Sequence, residues 1–162
     1  MSPSTTTSAS LPSLPALPAL LLWPLMADAP LARQARGLLL SALTTLPTSP
    51  KRVEDALLMI GEVAANAEKH ASPPYELRIY HTHRRTVVEF IDGDCRPLVL
   101  PPQLIPELTL ADIDCLEIEA LERGRGLHTL VALAQGDCGV RQLPAQGGRP
   151  CIGKVVWFAL PR

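Results

Sequence analysis

In a chain with 17 prolines, the stretch 51–70 has none, and Pro50 and the pair Pro73–Pro74 bracket it. Proline is favoured in a helix's first turn and excluded from its interior. Ser49 and Pro50 therefore read as a helix start, and Pro73–Pro74 as its stop. Val53, Leu57, Ile60 and Ala64 form the inner stripe of this helix. On a neighbouring face Glu62, Asn66 and His70 follow at i, i+4 and i+8. Their neighbours Val63, Ala64, Ala65 and Ala67 are small and apolar, so the reading predicts that Glu62 and Asn66 are buried and need partners. A carboxylate can orient a nucleophile or accept its proton, and an amide oxygen is a hard ligand suited to Mg²⁺.

Around this helix the pattern predicts an α+β domain. Residues 19–26 can supply a first strand. Residues 29–45 carry Leu31, Ala35, Leu38, Leu39 and Ala42 at helical spacing, ended by Pro47 and Pro50. Tyr75–His81 alternates apolar and polar residues as a half-buried strand, and Thr86–Ile91 follows as the next, with Asp92 at its end. Residues 93–122 hold prolines at 97, 101, 102 and 106, and their length reads as a binding loop or lid, with a short helix near 110–121. A third helix is expected over Gly126–Ala134. Cys138–Leu143 and Lys154–Leu160 then form a hairpin. The expected architecture is a two-layer sandwich: a mixed, mostly antiparallel sheet with helices on one face. Residues 1–18, rich in Pro, Ser and Thr, read as a disordered tail, and 19–162 as one domain.

Composition narrows the function. A net charge of −1 with scattered Lys and Arg argues against general nucleic-acid binding, and 4% aromatic residues leave few stacking platforms. The apolar run before residue 27 lacks a basic leader and is broken by prolines, so it reads neither as a signal peptide nor as a membrane span. A membrane-associating segment is the rival reading there. Cys95, Cys115, Cys138 and Cys151 are widely spaced and read as reduced thiols of a cytoplasmic protein. Zinc held by them with His81 and His83 lacks the usual ligand spacing.

Two further motifs carry chemistry. Asp92-Gly93 ends a strand, where the plain alternative is a turn. Gly124-Arg125-Gly126-Leu127 precedes the expected third helix, whose free amides could bind phosphate, with Arg123 or Arg125 adding charge. A lone G-x-G otherwise only punctuates a loop. E-x-x-x-N-A-x-x-H-A, an Asp closing a strand, G-x-G-L, and the final GKVVWFALP together resemble the histidine-kinase-like ATPase fold. They are most similar to bacterial anti-sigma-factor serine/threonine kinases, over roughly residues 30–161.

That resemblance implies ATP and Mg²⁺ as ligands, with Asn66 holding the metal. It implies Asp92 as the adenine acceptor, Gly124, Arg125, Gly126 and Leu127 around the phosphates, and Glu62 activating the attacking hydroxyl. It implies a sigma factor as partner, together with an antagonist protein that accepts phosphate on serine. Neither direct nucleic-acid binding nor membrane binding is implied, and a homodimer is compatible with it. Asp94 and Arg96 stand where the family has glycines. This departure supports the alternative of a non-catalytic module that sequesters its partner.

Overall fold

The computed structural model describes residues 20–102, 118–144 and 151–161. The expected tail over 1–18, residues 103–117 of the expected lid and the 145–150 turn lie outside these residues. The elements are β1 (Leu20–Leu25), α1 (Leu31–Leu43), α2 (Pro50–His70), β2 (Tyr75–His81), β3 (Arg85–Asp92), α3 (Ile118–Ala134), β4 (Cys138–Leu143) and β5 (Gly153–Pro161). The Ser49 hydroxyl caps α2 by accepting from the Arg52 amide at 3.4 Å, with Pro50 in the first turn. At the β2–β3 turn the Thr82 hydroxyl accepts from the Arg85 amide at 3.0 Å.

The third helix differs from expectation. It starts at Ile118, so Gly124 and Gly126 lie inside it, and the last residues of the expected loop are helical. Glycine weakens a helix interior by about 1 kcal/mol but does not forbid it. The flanking Glu119, Ala120, Leu121 and Glu122 include strong helix formers.

The sheet order is β1-β2-β3-β5-β4. Every pairing among the described strands is antiparallel, which corrects the expectation of a mixed sheet. The reason lies in where β5 inserts. β3 and β4 run in the same direction and are joined through α3, the arrangement that ordinarily yields parallel neighbours. Here β5 lies between them and pairs antiparallel with both. Pro24 is accommodated because β1 is an edge strand.

The two faces of the sheet differ. Leu77 and Ile79 of β2, Val88 and Phe90 of β3, and Val156 and Phe158 of β5 point into one core with the buried faces of the three helices. From α2 that core takes Ala56, Met59, Ile60, Val63, Ala64 and Ala67. On the other face, polar side chains form a ladder. Glu76 pairs with Arg78, and the Tyr80 hydroxyl and the Arg141 guanidinium both donate to Glu89, at 3.3 and 2.9 Å. The two-layer α+β arrangement with helices on one face is therefore as expected.

Candidate functional site

Alternation along β3 and β5 places Asp92 and Lys154 on the core-facing side, as the last rung of their ladder. Both are buried: 3% of the Asp92 side chain and 7% of the Lys154 side chain remain exposed. A charge this deep in a sheet must be paired, and the Lys154 ammonium donates to Asp92 Oδ1 at 3.0 Å. Its other contacts are to Asp94, at 3.1 Å to Oδ2 and 3.4 Å to the backbone carbonyl, which use the three donors an ammonium has. Asp92 Oδ1 also accepts from the Asp94 amide at 2.9 Å, which curls the chain back over the strand end.

Arg96 extends the network outwards. Its guanidinium donates to the Asp94 carboxylate and to the His70 carbonyl at the end of α2. Hydrogen bonds from Arg96, with lesser help from Lys154, hold the Asp94 carboxyl well below the usual carboxylate range. The same pairing raises the Arg96 guanidinium further above its usual value. Gly153 makes the close approach possible. Its φ is +156°, and a Cβ there would run into the Asp92 carbonyl oxygen.

These residues border a cavity of about 220 Å³, lined by Asn66, His70, Asp94, Arg96, Leu98 and Lys154 among others. Asn66 is only half-buried and makes no hydrogen bond to a described residue, so its amide is free to take a ligand. Glu62, one turn earlier, is also half-buried rather than buried as expected. Its Oε2 lies 2.7 Å from where a Cβ on Gly126 would stand. Gly126 therefore admits α3 closely against α2 at the Glu62 carboxylate. Leu127 is 9% exposed and belongs to the core.

The structure thus places Glu62 and Asn66 on one side of α2, with Gly126 against the first and the Lys154–Asp94 pair beside the second, and changes two assignments. Asp92 is at the strand end as expected, but its carboxylate is engaged by Lys154 rather than open to a ligand. Gly124, Arg125, Gly126 and Leu127 are not a phosphate loop before a helix. Within α3 their amides point to carbonyls one turn earlier. The 124–127 backbone therefore offers no free amides to an anion in this arrangement. The cavity is also below the range of about 300–1,000 Å³ usual for small-molecule sites.

Lys154 is the residue that sequence reasoning missed. The available signal was a lysine opening a strongly apolar strand, GKVVWFALP. Such a lysine needs a buried acid opposite it, and only the β3–β5 register shows that the acid is Asp92.

A larger cleft of about 610 Å³ opens at the other end of the sheet, lined by Lys51, Arg52, Asp55, Arg84, Arg85 and Asp137 among others. It contains none of the sequence-selected residues. Among the described residues no group of His, Cys, Asp and Glu is spaced to hold a metal, and no helix is long and apolar enough to cross a membrane. In comparison with known proteins, no family model matches the chain and no curated protein is significantly similar to it.

Proposed function

We propose that this chain is an ATP-binding regulatory protein of the anti-sigma kind, built on the histidine-kinase-like ATPase architecture, whose nucleotide site stands closed in this conformation. The observation supporting the reading is convergence. Glu62, Asn66, Asp92 and Gly126 come from three separate stretches of sequence and gather along one side of α2. Glu62 and Asn66 are its free polar groups. Asn66 would hold Mg²⁺, which would supply charge neutralisation at the phosphates, and Glu62 would orient and deprotonate a partner's serine hydroxyl. Opening the site requires Lys154 to release Asp92 and the Gly126 segment of α3 to move from Glu62.

The ion cluster favours a second reading, a module that sequesters its partner without nucleotide. Calorimetric titration with ATP, with and without Mg²⁺, separates the two. On the first reading the protein binds Mg–ATP, and Asn66→Ala weakens that binding roughly tenfold or more, about 1.4 kcal/mol, while metal-free ADP is held nearly as before. Absence of binding at millimolar ATP would leave the sequestering reading. Equal loss for both ligands would make Asn66 a structural residue.

A further inference from the structure

The cleft of about 610 Å³ at the Arg85 end of the sheet falls within the range usual for small-molecule sites, about 300–1,000 Å³, unlike the cavity beside Asn66. Four cationic side chains line it, Lys51, Arg52, Arg84 and Arg85, against two acids, Asp55 and Asp137. The chain as a whole carries a net charge of −1, so this excess of positive charge is local. Both acids are already taken. The Lys51 ammonium donates to the Asp55 carboxylate at 3.0 and 3.1 Å, and Arg85 pairs with Asp137 at 2.6 Å. Arg52 and Arg84 have no carboxylate partner among the described residues.

The fold brings these two unmatched groups to one place from distant stretches of chain. Pro161 closes the β3–β5 ladder opposite Arg85, the residue after Arg84. The carbonyl of the same Pro161 accepts from the Arg52 guanidinium at 3.2 Å. The end of β5 is thus a common anchor for the first turn of α2 and for the β2–β3 turn. That turn is itself tied down. The Thr82 hydroxyl accepts from the Arg84 and Arg85 amides at 3.4 and 3.0 Å, and the Thr82 amide donates to the Arg85 carbonyl at 2.8 Å. Arg84 therefore stands on a fixed backbone, with an exposed side chain that has no hydrogen bond to a described residue to give up. The deeper lining is apolar: Met59, Ala134, Ala159 and Leu160 are buried, and Leu133 is half-buried.

We propose that this cleft is a binding site for a small organic phosphate monoester, its phosphate held by Arg52 and Arg84 and its apolar body laid over Met59, Leu133 and Leu160. A monoester phosphate carries about −1.5 to −2 charge near neutrality, which two unmatched guanidinium groups balance. The planar guanidinium also meets phosphate oxygens through paired N–H donors. A single carboxylate would leave one of the two cations unmatched. The site is separate from the one beside Asn66 and stands whether or not that one takes nucleotide.

The test uses phenyl phosphate as the probe, titrated into the full-length chain by calorimetry and followed by amide NMR spectra. Inorganic phosphate and phenol serve as its separate halves. Phenyl phosphate should bind at least about tenfold more tightly than either half, because charge pairing and apolar burial act together. It should shift the Arg84, Arg85 and Ala159 amides and leave that of Asn66 in place. Arg52→Gln and Arg84→Gln should each weaken binding about tenfold, and Arg84→Lys, which keeps the charge without the fork, should weaken it less. Added salt should weaken binding in the wild type. Asn66→Ala should leave the affinity for phenyl phosphate unchanged, so failure here is distinct from failure of the nucleotide reading. Both arginines are exposed, and urea midpoints check that the variants fold; the probe comparison and the shift map decide without them. No binding at millimolar phenyl phosphate, inorganic phosphate bound as tightly as the ester, affinity indifferent to both arginines in folded variants, or shifts centred on Asn66 would each overturn the proposal.

Discussion

At one end of the β3–β5 ladder, Lys154 meets Asp92 at 3.0 Å with 7% and 3% of the two side chains exposed. At the other end, Arg85 meets Asp137 at 2.6 Å with 54% and 31% exposed. Similar chemistry thus serves two different purposes. The buried pair is tied through Asp94 and Arg96 to the end of α2 and fixes the wall of a small cavity. The exposed pair stands at the rim of an open cleft, where water already solvates both charges. Distance alone ranks the Arg85 pair higher, whereas burial reverses the order. Removing one partner of a buried pair strands a charge in a poorly polarisable interior, while removing one of an exposed pair strands nothing.

The largest effect is expected at the buried end. Lys154→Met removes the ammonium and leaves the Asp92 carboxylate buried without its cation. Stability in urea should fall by about 3–5 kcal/mol, a large share of what a domain of this size holds. Replacing both partners, as in Lys154→Met with Asp92→Leu, should recover most of that loss, since an apolar pair of similar volume is tolerated. A single-variant loss under about 1 kcal/mol would mean that the pair is open to water in solution, and the contrast between the ends would collapse. Lys154→Met also frees the Asp92 carboxylate, so a gain in ATP affinity in the same variant would mark Lys154 as the group that holds the site shut.

A smaller effect is expected from acid. In the folded protein the Asp94 carboxyl is held below its ordinary value of 3.8, first by Arg96 and then by Lys154. The unfolded chain therefore takes up a proton at Asp94 before the folded chain does. The stabilisation is fully present above the unfolded value and is lost as pH falls from about 4 towards the lower folded value. Urea midpoints measured between pH 5 and pH 2 should decline, and Asp94→Asn should flatten part of that decline while lowering stability near neutrality. An Asn variant with an unchanged acid slope would place the sensitivity on other carboxylates.

The difference between the two ends also explains what could be read from sequence. The elements were legible because each rests on local signals: Ser49 and Pro50 for the start of α2, alternation for β2, and Asp92 at the end of β3. The clustering of Glu62, Asn66 and His70 needed only the helical period. Contacts that depend on register were not legible. Nothing local tells Lys154 that its partner is Asp92, because that pairing follows from β5 inserting between β3 and β4. The glycines of 124–126 misled for a related reason. Read locally, they punctuate a loop before a helix, but packing of α3 on α2 uses Gly126 as clearance for Glu62.

The smallest effect is expected at the exposed end. Arg85→Ala removes a guanidinium whose side chain is more than half in solvent, and Asp137 keeps its hydration afterwards. Two backbone bonds at Asp137, one local and one long-range, survive the change: its amide donates to the Ala134 carbonyl, and its carbonyl accepts from Ala159, both at 2.9 Å. The loss should therefore be about 0–1 kcal/mol, and it should shrink further as salt screens the pair. A double-mutant cycle of Arg85→Ala and Asp137→Ala, run at low and high salt, isolates the pair's own contribution. A coupling that approaches the Lys154→Met loss and ignores salt would show that the rim of the cleft closes over this pair in solution. The two ends of the ladder would then differ in residues but not in physics.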